Sequence, residues 1–271
     1  MEINKCYCGD CFDIMDQMVA DKQKVDIILT SPPYCTPKDD ANKYTEAKFD
    51  NHDVLYDVFT GFESPESYRK WSVNLFNHYN DVLIDNGVVL YNLSYSAENP
   101  YLIYQCIFDI MENTEFVVVD CISWKKSSAL PMNRNPNRLT RVCEFVFVFC
   151  RRSELSTFRT TKEQYGKRQN NYTNILSNFI EAPNNDSLDN VNKMNNATFS
   201  TQFVIELLKR YAKPGYTVYD SFMGVGTTAV ACKQYGCNYI GSELSQAQVD
   251  FAELRLRNGT SAVIRGSKKL F

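Results

Sequence analysis

TVYDSFMGVGTTAVACKQYGCNYIGSELS, residues 217–245, is the stretch that decides the fold. Thr217–Phe222 is apolar and strand-like, Gly224-Val225-Gly226 makes a turn, and Thr227–Tyr235 reads as a helix. A second strand, Asn238–Leu244, follows at once. Glycines in such a turn let the backbone approach a ligand and adopt dihedrals closed to other residues. The second strand ends in Gly241-Ser242-Glu243, which puts an acid 23 residues after Asp220. In doubly wound folds a carboxylate at that spacing reaches ribose hydroxyls. The third glycine of the dinucleotide fingerprint is missing and no Walker lysine follows, so neither NAD nor ATP fits. A Gly-x-Gly alone also suits a purely structural turn; the Glu243 spacing is what favours a nucleoside cofactor.

Outward from this unit the chain keeps alternating. Further strand candidates are Ile3–Cys8, Val25–Thr30, Val88–Leu93, Phe116–Trp124 and Cys143–Cys150, which makes seven. Helical stretches are Pro65–Leu83, with Ser64 as N-cap, Asn99–Met111, Thr201–Tyr211 and Ser245–Arg257, and an amphipathic candidate follows Asp10. Strands alternating with helices predict an α/β fold with a mostly parallel sheet covered on both faces. Phe116–Trp124 and Cys143–Cys150 have no helix between them, so they are expected to pair antiparallel at a sheet edge. Residues 35–62 and 151–198 are polar and loop-like, and long loops in a compact domain are usually functional or mobile.

Residues 26–35, DIILTSPPYC, raise a second question. A buried strand runs into Thr30-Ser31-Pro32-Pro33-Tyr34, where two prolines remove donors and hold the chain extended. In a parallel sheet, ligands bind at the carboxyl ends of strands, near the point where strand order reverses. Asp10, Ser31–Tyr34, Asp220, Gly224 and Glu243 all sit at predicted strand ends and are expected to line one crevice.

The 271 residues, 44% of them hydrophobic, suffice for one large core. No apolar run approaches the roughly 18 residues of a membrane span, and no export signal is apparent, so the ten cysteines are expected to be reduced thiols in a cytoplasmic protein. Cys6-x-Cys8-x-x-Cys11 resembles a zinc half-site, but neither His52 nor His78 stands at ligand spacing, so no metal is expected. Between Lys125 and Arg168, 11 Lys and Arg face three acids, a net +8; the whole chain carries −3, so the remainder carries −11. An acidic body with one basic segment is the charge footprint of a polyanion-binding protein.

Ser31-Pro32-Pro33-Tyr34 and Asp220-Ser221-Phe222-Met223-Gly224-Val225-Gly226-Thr227-Thr228 together resemble the catalytic and cofactor signatures of S-adenosylmethionine-dependent DNA amino-methyltransferases. The catalytic motif comes first and the cofactor motif last, as in the circularly permuted β class. GDCFDIM (9–15), RLTRVCEFVFVFCR (138–151) and ATFSTQFVIELLKRYAKPGYTVYDSF (197–222) resemble further family segments. Where the family usually shows His-x-x-x-Phe-Pro, this chain has Asn195 through Phe199-Ser200. Residues 35–62 and 151–194 lie outside the resemblance.

The resemblance implies a Rossmann-like class I methyltransferase fold with a seven-stranded sheet and one antiparallel edge strand. Residues 1–150 would form the catalytic half, 151–194 an inserted target-recognition region and 195–271 the cofactor-binding half. Ser31, Pro32, Pro33 and Tyr34 would carry catalysis. The implied cofactor contacts are Asp10, Thr30, Ser31, Phe199, Ser200, Thr201, Asp220, Phe222, Gly224, Gly226, Thr227 and Glu243. Lys125, Lys126, Arg134, Arg138, Arg141, Arg152, Lys167 and Arg168 are expected to meet DNA, and Lys38, Lys43, Tyr44 and Lys48 belong to a loop that could close over the base. S-adenosylmethionine is the implied cofactor and double-stranded DNA the partner; a homodimer and a cognate restriction endonuclease stay open. The serine form of the elbow implies cytosine N4 as the target, with adenine N6 or a catalytically silent DNA-binding subunit as alternatives.

Overall fold

The computed structural model of the protein describes residues 1–35, 61–94, 99–127, 137, 139–161, 176–186, 191, 195 and 198–259. The strands are β1 (Lys5–Cys8), β2 (Val25–Thr30), β3 (Leu83–Leu93), β4 (Phe116–Lys126), β5 (Cys143–Arg151), β6 (Phe179–Ala182), β7 (Thr217–Asp220) and β8 (Asn238–Glu243). The helices are α1 (Cys11–Ala20), α2 (Pro65–Val82), α3 (Leu102–Asn113), α4 (Thr201–Tyr211), α5 (Thr227–Tyr235) and α6 (Gln246–Asn258). One eight-stranded sheet runs in the order β1-β8-β7-β2-β3-β5-β4-β6. Only β5 runs against its neighbours.

Local chemistry sets the helix starts. Asp10 caps α1 by accepting from the Phe12 amide at 2.8 Å. Ser64 and Ser67 form a reciprocal capping box with Pro65 at the first turn of α2. α5 begins after Gly226 and ends at Gly236, both left-handed.

Strand alternation divides the core into two layers. Ile27, Leu29, Val88 and Leu90 pack with Phe203, Val230 and Val249 from α4, α5 and α6. Ile28, Val89 and Tyr91 face the other way, onto Met15, Phe76 and Ile107 of α1, α2 and α3. Each fully buried aliphatic side chain is worth about 1.5–3 kcal/mol, so both faces of the sheet are firmly held. Cys6 joins the first layer and Cys11 the second, on opposite sides of the sheet. Among the described residues no cluster of His, Cys, Asp and Glu could hold a metal ion, and no helix is long and apolar enough to cross a membrane.

Two expectations are corrected. The antiparallel pairing of β4 with β5 is present, but it is not the sheet edge: β6 pairs parallel to β4 and gives the sheet its eighth strand. Ile180 and Ala182 turn inward, and Ala182 accepts from the Trp124 indole at 3.2 Å. Trp124 itself is core, stacked on Phe203 with ring centroids 4.1 Å apart.

From β2 the chain moves to β3 on one side; from β7 it moves to β8 on the other. β2 and β7 are neighbours, so strand order reverses between them, and the crevice predicted by parallel-sheet geometry opens at their carboxyl ends.

Candidate active site

Asp220 ends β7 and Thr30 ends β2, and the Thr30 hydroxyl donates to Asp220 Oδ1 at 2.7 Å across the switch point. The same oxygen accepts from the Phe222 amide at 3.1 Å, and Oδ2 accepts from the Thr228 hydroxyl. Asp220 is 1% exposed. Burial pushes its carboxyl up to about 6, against the pull of those hydrogen bonds. The Ser221 hydroxyl donates to Thr30 Oγ1 at 3.3 Å, and Tyr79 of α2 hydrogen-bonds Ser221 at 2.5 Å. Asp220 is thus a strut that ties the end of β2 to the glycine turn.

The turn has φ of +53° at Gly224 and +78° at Gly226, a region that favours glycine. A Cβ on Gly226 would stand 2.6 Å from Ala252 Cβ of α6, so no side chain fits there. Glu243, ending β8, accepts from the Gly224 amide at 2.9 Å through Oε2 and from the Ser245 amide at 3.0 Å through Oε1. Its carbonyl accepts from Gly9 at 2.9 Å, which brings Asp10 to the same place. Burial raises the Glu243 carboxyl above its ordinary value. The Leu244 amide bonds the carboxylate as well; its two oxygens offer four acceptor positions between them, so capacity for a further donor remains. Phe222 meets Trp71 of α2 at 5.6 Å, and Trp71 meets Phe12 of α1 at 6.4 Å. Asp10, Phe12, Trp71, Phe222, Gly224 and Glu243 therefore form a contiguous wall, with polar groups at one side and rings at the other.

The elbow leaves the sheet where expected. Thr30 is fully buried, Pro32 is buried, Ser31 and Pro33 are half-buried, and Tyr34 is 38% exposed. Lys38, Lys43, Tyr44 and Lys48 lie outside the described residues.

The expected cofactor residues Phe199, Ser200 and Thr201 stand at the start of α4. The Ser200 hydroxyl caps α4, accepting from Phe203 at 3.3 Å, and Thr201 bonds Asp186 through its amide at 2.9 Å and through its hydroxyl. Phe199 packs on Phe203 in the core. These side chains start and seat α4. From this stretch Asn195 stands beside the turn: its Nδ2 is 3.5 Å from where a Gly224 Cβ would lie. The Thr227 hydroxyl accepts from Arg255 at 3.1 Å.

The basic segment divides in space. Lys125 and Lys126 end β4 at the crevice end of the sheet, held by Glu181 at 3.0 Å and by Glu144 respectively; Arg141 shortly precedes β5 at that same end. Arg152 is placed elsewhere. β5 runs antiparallel, so Arg152 emerges at the opposite end, where its guanidinium donates to the Met111 carbonyl at 2.8 Å. That geometry removes it from the crevice side. Arg134, Arg138, Lys167 and Arg168 lie outside the described residues.

With the geometry in place, comparison with known proteins is informative. The family model described as DNA methylase, of the N6/N4 type, matches residues 25–254. The chain belongs to this family. Type II methyltransferase M.HinfI of Haemophilus influenzae is 25% identical over 262 residues, covering 94% of this chain and 68% of the relative. The solved M1.HpyAVI complex with S-adenosylmethionine is 24% identical with a TM-score of 0.62, covering 93% of this chain and 98% of that one. PvuII DNA methyltransferase, cytosine-N4-specific, is 15% identical with a TM-score of 0.66, covering 92% and 85%. At these identities the two solved structures speak for the fold, a class I methyltransferase architecture.

Several residues around this crevice escaped the sequence. Trp71 and Phe12 lie on helices with no motif around them. Asp186 and Arg255, paired at 2.8 Å behind the turn, are 69 residues apart, and only folding brings them together. Gln248, beside Gly224, reads as an ordinary helix residue.

Proposed function

We propose that the protein methylates the exocyclic N4 amino group of cytosine in duplex DNA, with S-adenosylmethionine as methyl donor. The observation that carries this reading is the serine elbow: Ser31-Pro32-Pro33-Tyr34 leaves β2 beside the Thr30–Asp220 link, at the mouth of the switch-point crevice. The residues fit such a cofactor. Glu243 offers acceptors for ribose hydroxyls, the Gly224–Gly226 turn leaves no room for a Cβ at its tightest point, Phe222 supplies a ring and Asp10 a carboxylate near the adenine end. Bound S-adenosylmethionine supplies an electrophilic methyl on a sulfonium.

The chain supplies the rest. An aromatic amino nitrogen has its lone pair conjugated into the ring and is a poor nucleophile. The Ser31 hydroxyl and the Pro32 carbonyl accept its two hydrogens, which favours a pyramidal nitrogen with its lone pair free. This is preorganised electrostatics, fixed by two prolines. Tyr34 stacks on the base, which leaves the duplex to reach the crevice. S-adenosylmethionine, held by Glu243, Phe222 and the Gly224–Gly226 turn, would supply the methyl from its sulfonium to the amino nitrogen; S-adenosylhomocysteine would leave and the surplus amino proton would pass to water. Positioning of the two reactants supplies much of the acceleration. Residues 151–194 are the proposed recognition region, with Lys125, Lys126 and Arg141 on phosphates beside the crevice.

Mass spectrometry of nucleosides from DNA treated with the protein and S-adenosylmethionine tests the reading. N4-methylcytosine is the expected product, and N6-methyladenine would overturn the base assignment while leaving the mechanism. Tyr34→Ala is expected to lower kcat/KM on DNA about 10–100-fold, the scale of base stacking, with cofactor binding within about twofold of the parent. Equal loss of both would remove Tyr34 from the base pocket.

A further inference from the structure

One face of α6 moulds the glycine turn. Gln248, Ala252 and Arg255 follow each other at intervals of four and three residues, so they share a side of the helix. Gln248 Oε1 lies 3.4 Å from where a Gly224 Cβ would stand, and Ala252 Cβ lies 2.6 Å from that of Gly226. Arg255 Nη1 donates to the Val225 carbonyl at 2.8 Å and to the Thr227 hydroxyl at 3.1 Å. Every residue from 224 to 227 is thus touched by this face.

The same face is held from behind by the segment between β6 and α4. Arg255 Nη2 donates to Asp186 Oδ2 at 2.8 Å, and Gln248 accepts from Asn195 at 2.9 Å. Asp186 Oδ1 accepts from the Thr201 amide at 2.9 Å and its Oδ2 from the Thr201 hydroxyl. The Arg255 and Asp186 side chains are 4% and 3% exposed. Desolvating two charges offsets most of their attraction, and an apolar pair of similar size often serves stability as well or better. Stability alone therefore does not account for an ion pair here. What the guanidinium adds is direction: its planar fork fixes a carbonyl and a hydroxyl of the turn at once.

We propose that Arg255 and Asp186 are positioning residues for the cofactor site, holding the Gly224–Thr227 turn in the shape that receives the nucleoside end of the cofactor. Neither side chain touches the ligand. Asp186 orients Arg255, and Arg255 orients the turn whose Gly224 amide Glu243 holds from the other side. The proposal rests on the reading of this turn as the S-adenosylmethionine site.

The test uses the full chain and S-adenosylhomocysteine, with affinity measured by calorimetry and folding by thermal melts. Arg255→Lys keeps the charge and removes the fork. The double variant Asp186→Asn/Arg255→Met removes both charges while leaving an acceptor for the Thr201 amide, so it is designed to fold. Both are expected to bind S-adenosylhomocysteine roughly tenfold more weakly, and with DNA as substrate the defect should sit in KM for the cofactor, with kcat recovered at saturation. Affinity within twofold of the parent in either folded variant would overturn the proposal. Collapse of both would also overturn it, making the pair a folding element. Glu243→Ala serves as reference. If it weakens binding while the Arg255 variants do not, the pair proposal fails alone; if it has no effect, the cofactor reading of the turn fails too.

Discussion

At the amino end of the sheet Arg151 gives its guanidinium to Asn80, Leu83, Ile84 and Glu154, while Asp26 accepts from Arg159 at 3.2 Å and from the Thr217 amide at 2.9 Å. At the carboxyl end Glu243 has no ion-pair partner among the described residues and accepts from backbone amides of the glycine turn and of its own helix start. Charge at the first end is consumed in joining β2, β3, β5 and β7. At the second, among the described residues, the Glu243 charge is held in shape without a cation beside it. A charge neutralised within its own chain is scaffold, and one held in place by backbone amides alone is poised for a ligand. Asp220 shows that the distinction is not simply one of position, because it stands at the carboxyl end and is buried under the hydroxyls of Thr30 and Thr228.

The largest effects should therefore fall where charge is fully used. Arg151→Ala strips the Leu83, Ile84 and Asn80 carbonyls and the Asn80 amide oxygen of their donor and is expected to cost about 3–5 kcal/mol in urea denaturation. The folded fraction should still bind S-adenosylhomocysteine normally. Selective loss of binding would break the division between the two ends.

Asp220→Asn comes next, with an unusual sign. The carboxyl rises from 3.8 to about 6 on folding, so between those values the folded state holds a proton that the unfolded state has released. The wild-type protein loses stability as pH rises through that window, by up to about 3 kcal/mol. Asparagine mimics the neutral acid, accepting from Thr30 and Phe222 and donating to Thr228. The variant should match the wild type near pH 4 and exceed it at pH 7. Urea melts at both values decide; a variant less stable at pH 7 would mean that ionised Asp220 is the better strut.

Glu243→Ala is expected to reverse that pattern, weakening S-adenosylhomocysteine binding by about 1–3 kcal/mol through loss of charge-assisted hydrogen bonds, with the smaller change in stability. Unchanged affinity would take Glu243 out of the site.

How much of this could be read beforehand follows from where each interaction lives along the chain. The unit from Thr217 to Glu243 and the elbow at Ser31–Tyr34 carry their signals locally, as glycines, prolines and a fixed spacing, and both appear at the predicted strand ends. β6 did not show itself because Phe179-Ile180-Glu181-Ala182 is too short for its alternation to stand out. It is a strand only because β4, more than fifty residues earlier, offers an edge. The Asp186–Arg255 pair has no local signature at all, since each residue alone looks like an ordinary surface charge. The placement of the basic segment was hidden for a geometric reason: a run of charge that is continuous in sequence is cut in two by a strand that crosses the sheet.

That last point yields the smallest expected effect and the sharpest contrast. β5 spans nine residues from Cys143 to Arg151. At about 3.3 Å per residue it separates Arg141 from Arg152 by roughly 30 Å, nearly four times the Debye length of about 8 Å at physiological salt. A phosphate backbone lying along the crevice end cannot feel both. Arg141→Ala should lower DNA affinity across sequences and reduce the slope of log affinity against log salt by about 1. Arg152→Ala should leave both within about twofold, because its guanidinium already serves the Met111 carbonyl at the far end. If Arg152→Ala costs as much as Arg141→Ala, DNA must reach around the amino end of the sheet, and the division of the molecule into scaffold end and ligand end would not hold.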